Sequence, residues 1–356
     1  MGGFHEASDI SCYSGGNAGR THYLLCSNCC RGVPGVAGPC SKSCWHFVLQ
    51  LALQVCTPTR FPPLRPATPP VNKEFIMNGY LDVVIYNVER GNAIWVSLPD
   101  GKNLMFDIGR RDDFSPLYDM WHRGVRYLDG LVITHPHTDH FNDIKSLCRY
   151  GIANIGVFFR PTHIPSREIY ARNRDDNLSR EYIQFASSFA DLIGNREFVT
   201  WDIGGAHLDI FRPHRSSTSN LNNHSLVTLI SFNGIKVLIP GDCEKTGWNE
   251  LLELTSFLPA VYGTKLLVAP HHGLVSGYSS DLMSEISPDI CVISEGHVTD
   301  TDVCNYYSSK CRGHQVSVKG GSEEIRRTVT TRNDGNVHIR ISGIPYAQAY
   351  SIATFN

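Results

Sequence analysis

The run Thr134-His135-Pro136-His137-Thr138-Asp139-His140 directly follows the apolar stretch Leu128-Asp129-Gly130-Leu131-Val132-Ile133, and it constrains the fold more than any other feature of the chain. Three imidazoles and a carboxylate occupy six consecutive positions. A strand that ends just before His135 leaves them on a turn at a sheet edge, where both faces of a cleft are within reach. Neutral imidazoles and a carboxylate there suit Zn²⁺, Mn²⁺ or Fe. His135 and His137, two apart, can point the same way and hold one ion, while Asp139 and His140, one turn further on, can reach a second ion beside it. The competing reading is a polar turn with chance histidines. A lone His-x-His would favour it; the denser cluster behind a buried strand does not.

At 356 residues the chain has room for one large domain or two ordinary ones. With 42% hydrophobic and 19% charged residues it is of the soluble globular class, able to bury a sizeable core. A formal charge of −2 provides no global basic field to announce nucleic acid. Bound cations would supply positive charge locally, so a polyanion is still compatible. No apolar run reaches the ~18 residues of a membrane span. The nearest, residues 47–55, is short, interrupted by Gln50 and Gln54, and too far from the N-terminus for a plain secretory signal. The expectation is a soluble, cytoplasmic protein with no membrane span.

Cysteine usage divides the chain. Cys12, Cys26, Cys29, Cys30, Cys40, Cys44 and Cys56 crowd its start, whereas the rest are scattered. Cys26-x2-Cys29 followed by Cys40-x3-Cys44, with His46 as a spare ligand, has zinc-knuckle spacing. Against this, the segment lacks apolar periodicity and runs into the Pro-rich stretch at residues 57–70, which reads as an extended linker. Residues 1–76 are therefore a disordered tail, a non-native extension upstream of a start at Met77, or a small metal knuckle. Residues 77–356 form the folded domain.

From Gly79 the pattern is regular. Residues 81–88, 93–98 and 103–107 read as strands joined by turns at Gly91 and Pro99-Asp100-Gly101-Lys102. Residues 117–124 read as a short helix, 128–133 as the strand feeding the histidines, 142–150 as a helix and 155–159 as a strand. Residues 167–193 read as one or two amphipathic helices whose mixed charges suit a solvated face better than a basic patch. Strands are expected again at 207–211, 225–230, 236–239, 265–269, 290–294, 316–318, 328–331 and 337–341, with a helix at 248–257. Two strand-rich halves with interspersed helices give an α/β, four-layer αβ/βα sandwich with the site where the two sheets meet.

Further potential ligands stand at strand ends. Gly241-Asp242 follows one strand, His271-His272-Gly273 follows another, and Asn222-Asn223-His224-Ser225 precedes a third. Each is weak alone; the shared placement is what gives them value.

Over residues 79–345 the sequence resembles the metallo-β-lactamase-fold hydrolases, and within them the soluble nuclease-like domain of the ComEC/Rec2 group. His135-Pro136-His137-Thr138-Asp139-His140 is similar to the fold's metal motif, and Phe106-Asp107-Ile108-Gly109 to its opening hairpins. Asn222-Asn223-His224-Ser225-Leu226-Val227 together with His271-His272-Gly273 selects the subgroup. The resemblance implies two divalent ions, zinc or manganese. His135 and His137 would hold the first, and Asp139 and His140 the second. Asp242 would bridge them, and His271 would complete the second site with His272 as rival. Asn222 stands where many relatives have a histidine, so the first site lacks an evident third ligand; His224 could substitute if its register turns it inward.

Such a pair of ions lowers the pKa of a bridging water from about 15.7 toward ~7, so that the hydroxide attacks an ester-type centre. Asp139 and Asp242 are the expected catalytic carboxylates, with Asp139 orienting the nucleophile and accepting its proton. Ser225 and the backbone near Gly273 are open to two readings, phosphate contacts or ordinary strand and turn residues. The leading function is phosphodiester hydrolysis on DNA, with nucleic acid as partner. The alternatives are hydrolysis of a small ester, lactone or thioester, or an inactive binding module. Glu89-Arg90 and Asn92 depart from the group's opening loop, and Thr299-Asp300-Thr301-Asp302 stands where relatives carry an Asn-x-x-x-His-Pro element. These departures bear on substrate more than on metal. The short interval between Asp242 and His271 leaves no room for the large insertion of RNA-processing relatives.

Overall fold

The computed structural model describes residues 79–152, 154–213, 219–295, 301–344 and 349–356. The readings made for residues 1–76 and for the 299–300 pair lie outside the described residues.

In chain order the strands are β1 (Tyr80–Ile85), β2 (Ala93–Ser97), β3 (Asn103–Ile108), β4 (Leu128–Val132), β5 (Ile155–Phe159), β6 (Phe198–Ile203), β7 (Ala206–Phe211) and β8 (Val227–Phe232). There follow β9 (Ile235–Ile239), β10 (Leu266–Val268), β11 (Ile290–Ile293), β12 (His314–Ser317), β13 (Glu323–Arg326), β14 (Thr328–Thr330), β15 (Asn336–Ser342) and β16 (Tyr350–Phe355). They form a sheet of order β13-β12-β16-β15-β1-β2-β3-β4-β5 and a second of order β14-β11-β10-β9-β8-β7-β6.

Alternation along β1 explains the layering. Leu81, Val83 and Ile85 enter a core that also takes Leu208, Ile210, Ile230 and Val237 from the second sheet. Val84 and Tyr86 point the other way, against Leu117, Met120, Leu147 and Tyr182. Those residues come from helices α1 (Pro116–His122), α3 (Ile144–Arg149) and α5 (Asp176–Ser187), with α2 (Thr138–Phe141) and α4 (Ser166–Arg172) between them. On the second sheet, Leu229 and Leu238 meet Trp248, Leu251 and Met283. The covering helices there include α6 (Lys245–Leu252), α7 (Phe257–Val261), α8 (Ser280–Ile286) and α9 (Thr301–Lys310); α10 (Thr331–Asp334) precedes β15. Each large apolar side chain so buried contributes about 1.5–3 kcal/mol, and because both faces of each sheet are covered, the chain is a four-layer αβ/βα sandwich.

Some elements differ from expectation. The single helix expected at 248–257 is two helices, α6 and α7. Pro259 accounts for the break, since in a continuous helix its ring would clash with the carbonyl of Thr255, whereas in the first turn of α7 it is tolerated. Three strands went unrecognised. β13 is an exposed edge strand, Glu323-Glu324-Ile325-Arg326, with no apolar alternation to betray it. β6 is the edge of the other sheet, and β16 carries the small residues Ser351 and Ala353 that weaken its pattern. Among the described residues no helix is long and apolar enough to cross a membrane.

Topology gathers the chemistry. β3 and β4 are parallel, as are β9, β10, β11 and β14, so Asp107, the His135–His140 motif, Asp242, the tandem histidines and Ser294 all lie at or just beyond carboxyl ends of strands. In open α/β sheets this is where ligands are bound. A hydrogen bond from Leu226 N to Thr134 O, 2.8 Å, joins the two sheets at that edge.

Candidate metal centre

The motif leaves β4 through Ile133 and Thr134, and its last residues begin α2. His135 Nε2 lies 2.9 Å from His137 Nδ1, so the two side chains do share one direction. Asp139 and His140 fall in the following helical turn. The turn itself is pinned by Asn173, whose Oδ1 accepts from Thr138 N (2.7 Å) and Thr138 Oγ1 (2.6 Å) while Nδ2 donates to Pro136 O (2.9 Å). Two glycines make room for it. A Cβ on Gly91 or Gly109 would stand 2.4 or 2.5 Å from the Asp139 carbonyl oxygen.

Asp242 follows Gly241, whose φ of +58° and close approach to Thr134 exclude a side chain there. Its backbone N–H donates to Ser225 Oγ at 3.0 Å. Ser225 is fully buried, so its role is to hold the Asp242 backbone rather than to meet a phosphate. His271 and His272 are consecutive left-handed residues (φ 49° and 54°), a conformation costing roughly 1–2 kcal/mol each for residues with a Cβ.

These segments converge on the Asp242 carboxylate. Oδ1 lies 3.3 Å from His140 Nε2; Oδ2 lies 3.3 Å from His272 Nε2 and 3.8 Å from both His135 Nε2 and His271 Nε2. Asp139 Oδ2 is 3.7 Å from His272 Nε2. Among the described residues, two groups have their donor atoms mutually within 4.8 Å: His135, His140 and Asp242, and Asp139, His140 and His272.

His224 is not brought to this cluster. It ends a 3₁₀ turn, Leu221–His224, in which residues two apart face different ways, whereas in a strand they would face alike. Its Nδ1 instead lies 2.9 Å from His163 Nε2. Asn222 does approach, with Nδ2 3.0 Å from Glu244 Oε1 and 3.3 Å from His271 Nε2.

Outer partners orient the rings. Asp107 Oδ2 holds His140 Nδ1 at 2.8 Å, and Asp107 Oδ1 accepts from Thr134 N at 2.7 Å. Ser294 O lies 3.2 Å from His272 Nδ1, and His271 Nδ1 is hydrogen-bonded with Ser276 Oγ at 2.7 Å, with Glu244 Oε1 in ion-pair contact at 2.9 Å. The sequence reading missed Asp107, Asn173 and Glu244 in these roles. A buried acid closing a strand was the only available signal, and it applied to Asp107 alone.

The electrostatics suit a cation. Burial, with the neighbouring His140, holds His135 well below the ordinary imidazole range, and His137 is lowered by the same two causes. These rings are neutral and able to ligate. Burial would also depress His140 and His272, but carboxylates reverse it: Asp242 and Asp107 raise His140 well above the ordinary range, and Asp242 raises His272. Burial would raise Asp242, yet His272, His140 and His135 bring it well below the carboxylate range. The Nε2 atoms of His140 and His272 are buried beside Asp242 with no hydrogen bond of acceptable geometry. A buried nitrogen left in that state is costly, and a divalent cation would satisfy both lone pairs, so the donor set fits a metal.

Residues 86–297 match the metallo-beta-lactamase superfamily. The chain belongs to that superfamily. Within it the chain is ComEC/Rec2-like. Recombination protein 2 of Haemophilus influenzae is 26% identical over 203 residues, 55% of this chain and 22% of its own length. Competence protein ComA of Neisseria gonorrhoeae is 23% identical over 254 residues, 69% of this chain and 30% of its own. The chain thus spans less than a third of the length of these curated relatives. The crystal structure of a diphosphatase from the PhnP family is similar at 11% identity, with 72% of this chain and 96% of that one covered and a TM-score of 0.42. Hydrolytic chemistry and divalent-metal binding are general properties of the metallo-β-lactamase superfamily, and this chain retains a His/Asp cluster for them.

Proposed function

We propose that this chain is a metal-dependent phosphodiesterase that cleaves nucleic acid, DNA foremost, at a dinuclear centre. In this reading His135 and His137 hold one ion, Asp139, His140 and His272 hold the other, and Asp242 lies between them. The observation that carries it is the convergence of the buried, unbonded Nε2 atoms of His140 and His272 on the Asp242 carboxylate. When bound, two zinc or manganese ions would lower the pKa of water at the site toward ~7 and offset charge on the substrate oxygens.

The chain's own residues do the rest. Asp139 has the most exposed side chain of its donor group, which leaves a carboxylate oxygen free to take a proton at the mouth of the site. Asp107 and Ser294 fix the rings of His140 and His272, so the donors need no rearrangement when substrate arrives. The choice of DNA rests on relatives named for recombination and competence. A net charge of −2 does not oppose it, because the cations would be the strongest local charges.

The test incubates the purified chain with single- and double-stranded DNA, RNA and bis(p-nitrophenyl) phosphate across Zn²⁺ and Mn²⁺ concentrations. Cleavage of DNA is expected with metal, and none with chelator or in Asp242→Ala. If Asp242→Ala cleaves as well as the parent, the activity is a contaminant's and the reading fails.

A further inference from the structure

The loop between β1 and β2 carries Glu89-Arg90, a departure from the group that the sequence resembles, and it lies against the metal motif. We infer that Arg90 grips a substrate phosphate beside the one that is attacked, so that the site favours a polynucleotide chain over a small diester. This inference deepens the phosphodiesterase reading of the same site and rests on it.

The loop stands at the mouth of the donor cluster. A Cβ on Gly91 would lie 2.4 Å from the Asp139 carbonyl oxygen and 3.3 Å from Asp139 Cβ. Consecutive Cα atoms are about 3.8 Å apart, so Arg90 begins one residue from that contact. Asp139 is also a donor whose side chain reaches solvent, and the loop therefore borders the open side of the cluster. On its other side the loop meets the second sheet. Ser294 Oγ donates to Gly91 O at 3.0 Å, and the Ser294 carbonyl is the one that lies 3.2 Å from His272 Nδ1. Arg90 thus stands beside the donors of both sheets.

The loop is held as well as placed. Asn336 Oδ1 accepts from Asn87 N at 2.8 Å, and Asn87 Oδ1 accepts from Glu89 N at 3.2 Å. Glu89 is left-handed, with φ 58°, a conformation that a residue with a Cβ keeps only where the surroundings impose it. The backbone that carries Arg90 is fixed on both flanks.

The charge on Arg90 is available. Its side chain is exposed, and among the described residues no carboxylate pairs with it. Arginines that follow other strands to the same edge are committed elsewhere. Arg110 Nη1 lies 3.8 Å from Asp143 while its Nε and Nη2 donate to the Arg111 and Asp112 carbonyls, and Arg332 Nη2 lies 3.4 Å from Glu295 Oε1. A guanidinium with no carboxylate to neutralise it offers the planar fork that phosphate oxygens accept bidentately.

Burial decides which phosphate it meets. His135, His140 and Asp242 are buried, so a phosphate under attack lies down among them, whereas Arg90 is at the rim. What reaches the rim is the next phosphate along a strand. A small diester such as bis(p-nitrophenyl) phosphate has neutral arms and presents no charge there. One placed contact of this kind sets the register of a polyanion without a basic surface, which a chain of net charge −2 lacks.

The test uses trinucleotides with two linkages, either both phosphodiesters or one phosphodiester and one neutral methylphosphonate in either order, with bis(p-nitrophenyl) phosphate as the substrate that has no flank. Cleavage by the Zn²⁺- or Mn²⁺-loaded chain is compared linkage by linkage. For the linkage whose flanking phosphate faces Arg90, neutralising the flank should lower the parent's kcat/KM roughly tenfold. Arg90→Gln should lower it as much, and the two changes together should cost little more than either alone. Arg90→Lys keeps the charge without the fork and should retain part of the preference. The ratio of trinucleotide to bis(p-nitrophenyl) phosphate kcat/KM should fall in Arg90→Gln. The log–log salt dependence of KM for the trinucleotide should become shallower by about 0.7, the share of one phosphate contact to a single strand. Zn²⁺ titration against a chromophoric chelator should give Arg90→Gln the parent's stoichiometry.

A parent indifferent to the flanking charge, additive losses in the cycle, or an altered metal stoichiometry in Arg90→Gln each overturn the assignment and leave the phosphodiesterase reading standing. A parent that cleaves no phosphodiester brings that reading down, and this inference with it.

Discussion

Asp107 Oδ2 lies 2.8 Å from His140 Nδ1, and both residues are wholly buried. The contact links the end of β3 to the metal motif beyond β4. Asp107 reaches it from a left-handed backbone, φ 55°, while its other oxygen holds the Thr134 amide. One carboxylate therefore sets both the path of the chain into the motif and the direction in which His140 aims its Nε2.

Asp107→Asn should weaken the ion bound through His140 by roughly 10–100-fold, the usual cost of losing an outer-shell partner. Asparagine accepts the left-handed conformation, so the chain should fold. Competition against a chelator of known affinity measures the change; an unaltered affinity would show that His140 needs no orienting carboxylate.

Asn173→Ala removes three hydrogen bonds to the motif turn. At about 0.5–1.5 kcal/mol each, the loss of stability should be roughly 2–4 kcal/mol, read as a lower urea midpoint. Metal affinity should fall too, because Thr138 and Pro136 flank His137.

Gly109→Ala places a methyl 2.5 Å from the Asp139 carbonyl oxygen and 2.8 Å from the Asn92 carbonyl oxygen. Gly109 does not need a left-handed backbone, so the effect isolates crowding. Overpacking of this kind costs about 1–3 kcal/mol, and urea denaturation of the metal-free chain should report that loss.

Asp143 gives a pH signature away from the donor atoms. Burial raises its carboxyl to about 6, although hydrogen bonds from Ser115 and Ser146 oppose the shift. A folded pKa above the unfolded value means that this group's stabilising contribution is complete below about pH 4 and lost as pH rises through about 6. Relative to Asp143→Asn, which cannot titrate, the parent should lose about 3 kcal/mol of stability between pH 4 and pH 7. A parallel pair of stability–pH curves would contradict this.

Metal should stabilise the fold by mass action. At a free ion concentration one hundred times the dissociation constant, the gain is about 2.7 kcal/mol per site. The urea midpoint of the parent should rise with Zn²⁺ or Mn²⁺ and return with chelator, and in Asp242→Ala the rise should be largely lost.

Much of this was legible in the sequence, for physical reasons. The candidate donors from His135 to His140 are contiguous and follow a strand of buried aliphatics, so local pattern alone places them on a sheet edge. Asp242 and the tandem histidines could be read because each ends an apolar run. Asp107, Asn173 and Glu244 could not, since each acquires its role only when distant strands and helices are packed together: Asn173 follows α4, far along the chain from the Thr138 amide it caps. His224 was misleading because sequence spacing does not reveal whether a segment is a strand or a 3₁₀ turn. The edge strand β13 was invisible because it buries almost nothing.

The hydrogen bond from Leu226 N to Thr134 O, and the contact of Gly241 with Thr134, set the seam between the two sheets directly beneath the donor atoms. His135, His137, Asp139 and His140 belong to one side of that seam, and Asp242, His271 and His272 to the other. Any shear of one sheet against the other therefore changes the spacing of the donors before it disturbs either core. A bound cation resists that motion as a clasp would, and hydrogen exchange at Leu226 should slow on loading while exchange deep within β1 does not.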